Sequence, residues 1–334
     1  MKSILTIGEI LVEIMATDKG DGFLEPVTLV GPFPSGAPAI FIDQAAKFGQ
    51  PAAIIGCVGN DDFGQVNLDR LRRDGVNVEG VRIDPETATG SAFVRYRPDG
   101  SRAFVYNIKH SASGNIVLDA AARAVLDRSD HLHVMGTALF SPSIVEVVLR
   151  AAEAIKARGG TISFDPNLRP EILNLPGLRE ACETLFRRCD VFLPSSVELY
   201  LFTKAKEEKA AVEEILAHGI KAIVHKRGAE GASYFDSATR LTQPGFAVEE
   251  LDPTGAGDCF GATFISCWLR NISRNWSSEN GIHLQIVCLT SSWNSGTTAL
   301  SNCWQSPVQL PQLVEARVHS LSWARVFTPF SWMA

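Results

Sequence analysis

Asp252-Pro253-Thr254-Gly255-Ala256-Gly257-Asp258-Cys259-Phe260-Gly261-Ala262 is the stretch from which the rest of the chain becomes readable. Three small residues precede an acid, and a helical pattern follows at once, with Phe260, Phe264 and Trp268 on one face. A turn of small residues at a helix start leaves backbone N–H groups available, and the helix dipole adds positive potential there. Together they make a site for an anion, typically phosphate. Asp258 is a poor partner for that anion, because like charges repel. Its useful role is to take a proton from a hydroxyl that attacks the phosphorus. Spacing alone supports equally a helix N-cap aspartate after a glycine turn.

Upstream of this turn, short β-rich runs alternate with helical patterns. Strands are expected at 4–7, 53–56, 131–135, 161–164, 191–194 and 222–225, and helices at 38–48, 64–74, 144–158, 178–188 and 210–218. The helix at 38–48 is opened by a Gly-Ala-Pro turn and stopped by Gly49. Strand and helix in turn imply crossover units, and so an α/β fold with a mostly parallel sheet sandwiched by helices. Two segments break the rhythm. Residues 10–34 and 89–108 read as extended, antiparallel pieces. In the second, Ala92-Phe93-Val94-Arg95-Tyr96-Arg97 and Arg102-Ala103-Phe104-Val105-Tyr106 flank Pro98-Asp99-Gly100-Ser101, which is a hairpin pattern. Such strands suggest a small sheet able to cover a site, or a hairpin that is structural only.

The bulk composition narrows the function classes. The 334 residues are 46% hydrophobic and 20% charged, enough for a large buried core. A net charge of −6 without a basic stripe gives no electrostatic support for a nucleic-acid partner or an anionic membrane. No run of 18 or more apolar residues suggests a membrane span. Glu9 interrupts the first apolar run and no small-residue cleavage pattern follows, so that run reads as a buried strand rather than a leader. The seven cysteines (57, 182, 189, 259, 267, 288 and 303) are scattered, with no C-x-x-C pair. They fit reduced thiols in a cytoplasmic protein, and no structural metal is expected.

Asp-x-Thr-Gly-Ala-Gly-Asp-x-Phe resembles the C-terminal signature of the ribokinase-like (PfkB) carbohydrate kinases. A second stretch agrees with it. Ser35-Gly36-Ala37-Pro38-Ala39, Ala45-Ala46-Lys47-Phe48-Gly49 and Ile55-Gly56-Cys57-Val58-Gly59-Asn60-Asp61-Asp62-Phe63-Gly64 look like the N-terminal signature of that family. The resemblance covers roughly residues 3–270, about four-fifths of the chain. It implies a ribokinase-like fold with a small β-sheet lid. It also implies ATP and Mg²⁺ as cofactors, K⁺ as an optional ion, a small-molecule sugar substrate, and a homodimer through the lid. On its terms Asp258 is the catalytic base and Gly255, Ala256 and Gly257 form the anion hole. Glu13, Gly36, Ala37, Arg169 and Asp258 bind the sugar.

Further motifs extend the resemblance. Phe164-Asp165-Pro166-Asn167-Leu168-Arg169 is similar to a segment of fructokinases and 2-keto-3-deoxygluconate kinases. Arg169 would hold a phosphate or sugar oxygen through its fork of donors, unless it is a surface ion pair. Val224-His225-Lys226-Arg227-Gly228-Ala229-Glu230-Gly231-Ala232 resembles the nucleotide-side loop, which assigns Asn167, Lys226, Gly228 and Gly231 to ATP. Pro194-Ser195-Ser196-Val197-Glu198 matches an Asn-x-x-Glu element linked to Mg²⁺, with Ser195 where Asn is common. That link makes Glu198 an indirect metal contact. Two departures lie on the sugar side, since many members carry Asn where Ile40 stands and Asp where Glu13 stands.

The implied function is an ATP-dependent kinase for a primary hydroxyl of a ketohexose, fructose first. Tagatose or 2-keto-3-deoxygluconate is the alternative, and a catalytically inactive sugar-binding relative is a third reading. A nicotinamide dehydrogenase lacks its Gly-x-Gly-x-x-Gly after the first strand. Residues 271–334 depart from everything before them. They hold no Asp, no Lys, two Glu and 11 Ser, whereas the preceding 270 residues carry 28 Lys plus Arg and 35 Asp plus Glu. The expected organisation is a kinase domain over 1–270, with lid strands within 10–34 and 89–108. An atypical segment over 271–334 follows, read as frame-shifted or otherwise replaced.

Overall fold

The structure is a computed structural model and describes residues 1–168, 177–245 and 252–270. The segment 271–334 and Arg169 therefore lie outside the described residues.

The strands that build the main sheet are short, and all but the two edge strands, Asn77–Asp84 and Arg240–Gln243, are largely buried. They are β1 (Ile4–Ile7), β4 (Ala52–Gly59), β5 (Asn77–Asp84), β8 (His131–Met135), β9 (Thr161–Asp165), β10 (Val191–Phe192), β11 (Ala222–Lys226), β12 (Ala232–Phe235) and β13 (Arg240–Gln243). Near-continuous apolar runs are what a parallel sheet covered on both faces demands. Period-2 alternation then sends neighbouring residues to opposite cores. Leu5, Ile7, Ile55, Leu132, Ile162 and Phe164 join one hydrophobic cluster. Ile4, Ile54, Val58, Val191, Leu193 and Val224 join the other.

Helices cover both faces. α1 (Ala37–Lys47), α2 (Asp62–Arg73) and α7 (Ala256–Leu269) contribute Phe41, Leu71 and Phe264 to the second cluster. α3 (Ala120–Asp127), α4 (Pro142–Ala157), α5 (Leu178–Arg188) and α6 (Glu208–Ala217) contribute Val125, Val148, Leu185 and Val212 to the first. Local chemistry sets the helix starts. Asp61 caps α2 by accepting from Gly64 N–H at 2.8 Å, and Ser141 caps α4. Pro38 stands in the first turn of α1, where its missing N–H costs nothing.

The strand order is β13-β12-β11-β10-β9-β8-β1-β4-β5, parallel except that β12 runs against both of its neighbours. The chain lays down β1, β4 and β5 in one direction and β8 to β11 in the other. The order therefore reverses between β1 and β8, which pair with Ile4 opposite His131. In open α/β sheets, ligands bind beyond the carboxyl ends of the strands at such a switch point.

The two irregular segments form a separate four-stranded sheet, β3-β2-β6-β7. It comprises β2 (Leu11–Ala16), β3 (Leu29–Ser35), β6 (Gly90–Tyr96) and β7 (Arg102–Asn107). The expected hairpin is present, with Tyr96 opposite Arg102. The expectation of purely antiparallel pieces needs one correction. β2 and β6 pair parallel, Leu11 with Gly90 through Met15 with Val94, because each leaves the main sheet in the same direction. This central seam joins two antiparallel pairs into one sheet.

Beneath the switch point lies a buried imidazole pair. His131 meets Thr161 Oγ1 and Ser163 Oγ, both at 2.8 Å, and His133 Nδ1 meets Ser163 Oγ at 2.7 Å. Phe41 stacks on the His133 ring at 3.6 Å. Burial holds both imidazoles well below their usual range, His131 at about 3, so both are neutral core residues in neutral solution. Among the described residues no helix is long and apolar enough to cross a membrane.

Candidate active site

The carboxyl ends of four strands converge on one cavity of about 430 Å³. Glu9 follows β1, Thr137 follows β8, Asn167 follows β9, and Lys226 ends β11; all four line it. The small sheet supplies the facing wall through Leu11, Glu13, Ala92, Arg102, Phe104 and Tyr106. The start of α1 adds Gly36, Ala37 and Ile40, and the 253–258 turn adds Pro253, Thr254, Gly255, Gly257 and Asp258.

The turn is built as its sequence requires. Gly255 is the residue before α7 and has φ +79°, a left-handed conformation that glycine adopts without strain. A side chain there would also press on Ile40, with an added Cβ 3.1 Å from its Cγ2. Ala256, Gly257 and Asp258 then form the first helical turn, whose N–H groups have no intrahelical acceptor. The Ala256 N–H is engaged by Pro253 O at 3.1 Å. Asp258 stands at the third helical position, which excludes the N-cap reading.

Asp258 is buried, and Asn167 Nδ2 donates to its Oδ1 at 3.3 Å. Asn167 itself has φ +39°, an uncommon conformation for a residue other than glycine. The next residue is pinned, since Leu168 N–H donates to Glu198 Oε1 at 2.8 Å. The other Glu198 oxygen accepts from Ser195 N–H at 2.7 Å. Glu198 therefore clamps the ends of β9 and β10 together. Burial, and next the nearby Asp165 charge, push its carboxyl above the usual range.

Lys226 Nζ is ion-paired with Asp165, which is fully buried. It also stands beside the turn, 3.9 Å from where a Cβ on Gly257 would be. A fixed cation thus faces the N-terminus of α7, where phosphate charge would be stabilised. Burial pushes the Asp165 carboxyl up, while Lys226 and the Asn167 amide pull the other way.

Most residues anticipated from the sequence meet here. Asp258, Gly255, Gly257, Glu13, Gly36, Ala37, Asn167 and Lys226 all line the cavity. Gly228 and Gly231 do not. They bracket a single tight turn, and Gly231 is required because a Cβ would sit 2.1 Å from Gln243 O. Glu13 is buried and accepts from Ser35 Oγ at 3.3 Å. Thr137, Phe140, Lys109 and His110 line the cavity without a sequence signal strong enough to single them out. The end of a predicted strand was the available clue for Thr137.

The match to known proteins follows this geometry. Residues 1–290 match the model of the pfkB family carbohydrate kinases. The chain belongs to that family. It is a sugar kinase by that membership, with a ribokinase-like fold. It is 30% identical to "Fructokinase-1" of Oryza sativa subsp. japonica over 279 residues, 82% of this chain and 84% of that protein. Among solved structures it is similar to an E. coli chain described as a ribokinase II candidate in complex with ATP and Mg²⁺. There the identity is 40% and the TM-score 0.79, over 90% of this chain and 97% of the other. A Vibrio cholerae fructokinase double mutant bound to fructose, ADP and potassium shares the fold, at 24% identity and a TM-score of 0.72, over 91% and 95% of the two chains.

Proposed function

We propose that this carbohydrate kinase transfers the γ-phosphoryl group of ATP to a primary hydroxyl of a ketohexose, with fructose first and Asp258 as general base. The supporting observation is the meeting of Asp258, the start of α7 and Lys226 with the Glu13 side of the small sheet in one cavity. The sugar hydroxyl loses its proton to an Asp258 oxygen as it attacks phosphorus. The helix-start amides and Lys226 stabilise the charge on the transferring group, and ADP leaves. Mg²⁺ would act through the phosphates, since both Glu198 oxygens are already held by backbone amides and Asp165 by Lys226. K⁺ is carried over from the Vibrio protein alone. The small sheet serves as the cover that keeps water from the phosphoryl group.

The plant relatives support fructose. Lys109 and His110 in the cavity wall give a sugar acid a specific argument, because a carboxylate would pair with them. Coupled ADP-release assays with fructose, tagatose and 2-keto-3-deoxygluconate separate the readings. The expected result is turnover on fructose, and turnover on the sugar acid alone excludes it. We further infer a domain division at residue 270, a cytoplasmic location, and a homodimer through the small sheet. Exposed Leu29, Val30 and Val105 on that sheet support the last. Sedimentation at a monomer mass would sink it.

A further inference from the structure

The hairpin of the small sheet reaches past the sugar cavity to the chain just ahead of the anion-hole turn. Tyr96 ends β6 and Arg102 begins β7, and they are a cross-strand pair next to the Pro98-Asp99-Gly100-Ser101 turn. Tyr96 O–H donates to Asp252 Oδ1 at 2.6 Å, across 156 residues of sequence. Arg102 Nη1 donates to Thr254 Oγ1 at 3.1 Å, across 152. The same Asp252 oxygen accepts from Thr254 N–H at 3.0 Å, folding the segment back on itself. Pro253 O then receives the Ala256 N–H, and α7 starts. A short series of hydrogen bonds therefore runs from the small sheet into the turn that carries Asp258.

We propose that Tyr96 and Arg102 are positioning residues that fasten the 252–254 segment to the small sheet. The reactive geometry of the 255–258 turn is then complete only while that sheet lies against it. Asp252 is buried, so its carboxylate needs partners of this kind, and the phenol supplies one that a phenylalanine could not. Burial and the bond to Asp252 both push the Tyr96 hydroxyl up, which keeps it a donor throughout the working range of pH. Arg102 also lies 5.4 Å over the Phe104 ring, which orients the guanidinium toward the turn. Neither residue is asked to touch the transferring phosphoryl group.

The inference rests on Asp258 as the base, and the test separates the two. Tyr96→Phe, Arg102→Gln, the double variant and Arg102→Lys are compared with the parent, on ATP and fructose, alongside Asp258→Asn. Losing a hydrogen bond to a charged group that acts on the competent geometry is expected to lower kcat about 10-fold in Tyr96→Phe. In Tyr96→Phe, whose side chain does not line the cavity, KM for fructose should stay within about threefold. The double variant should be no slower than the worse single one, since both bonds hold one segment. Arg102→Lys should recover part of the loss in Arg102→Gln. Arg102 is exposed, so Arg102→Gln tests the idea even if Tyr96→Phe does not fold. A kcat within about twofold of the parent in the folded variants, or a loss confined to KM, overturns the fastening role whatever Asp258→Asn does. Full turnover in Asp258→Asn overturns the base assignment instead.

Discussion

Asp258→Asn is expected to fold as the parent does and to lose at least about 10²-fold in kcat. The substitution keeps the shape of a buried side chain in the first turn of α7. The amide oxygen of the replacement still accepts from Asn167 Nδ2, so that contact of Asp258 Oδ1 survives. What is removed is the ability to take a proton from the attacking hydroxyl, the role proposed for Asp258. The helix-start amides and Lys226 remain, so ATP should bind as before and the loss should fall on turnover. Steady-state kinetics with a thermal melt provide the check. Near-parental kcat in a folded variant removes Asp258 from the mechanism.

Asp165→Ala is expected to have the largest effect on stability, about 3–5 kcal/mol. Asp165 is completely buried at the end of β9, and its carboxylate is the partner of Lys226. Its loss leaves a largely buried ammonium without its ion-pair partner. The reverse change differs in kind. In Lys226→Met the Asp165 carboxyl can take up a proton, and burial already favours the protonated form. With the cation gone its folded value rises further above the unfolded one. A carboxyl raised in the folded state binds more protons folded than unfolded across that window. Stability then falls as pH rises through it. Relative to the parent, Lys226→Met should therefore gain stability on going from pH 8 to pH 5, a comparison in which the shared contribution of the buried His131 and His133 cancels. Denaturant midpoints of parent and variant at the two values decide it, and an identical pH dependence in the two would show that Asp165 is not the buried partner of Lys226.

Local patterns carried much of this molecule. The bounds of β8 and α5 coincide with those expected from periodicity alone. The Gly-Ala-Gly-Asp turn is a local motif, and it marks the centre of the site. What could not be read depended on distant partners. β5 escaped notice because Val78, Val81 and Ile83 do not alternate, and its pairing with β4 shifts register between Ala53 and Ile55. β12 and β13 are four residues each, too short for a period to show. The parallel seam of β2 with β6 is a choice of neighbour that neither strand encodes alone. The same holds in the site. Lys226 is visible as a lysine near a glycine loop, but its partner Asp165 lies 61 residues away. Glu198 is visible as an acid after a strand, whereas its attachment to two backbone amides appears only once β9 and β10 are adjacent.

The seam between β2 and β6 also bears on the order in which the molecule comes together. Leu11 and Gly90 must meet in parallel, so β3, α1, β4, α2 and β5 have to be looped out between them. Closing so long a loop is entropically unfavourable until the intervening strands have docked on β1. The Tyr96 contact with Asp252 needs a still longer span of chain. The β1, β4 and β5 part of the main sheet is thus the scaffold on which the seam of the small sheet closes. The cavity that would hold the sugar is among the last features of the fold to exist.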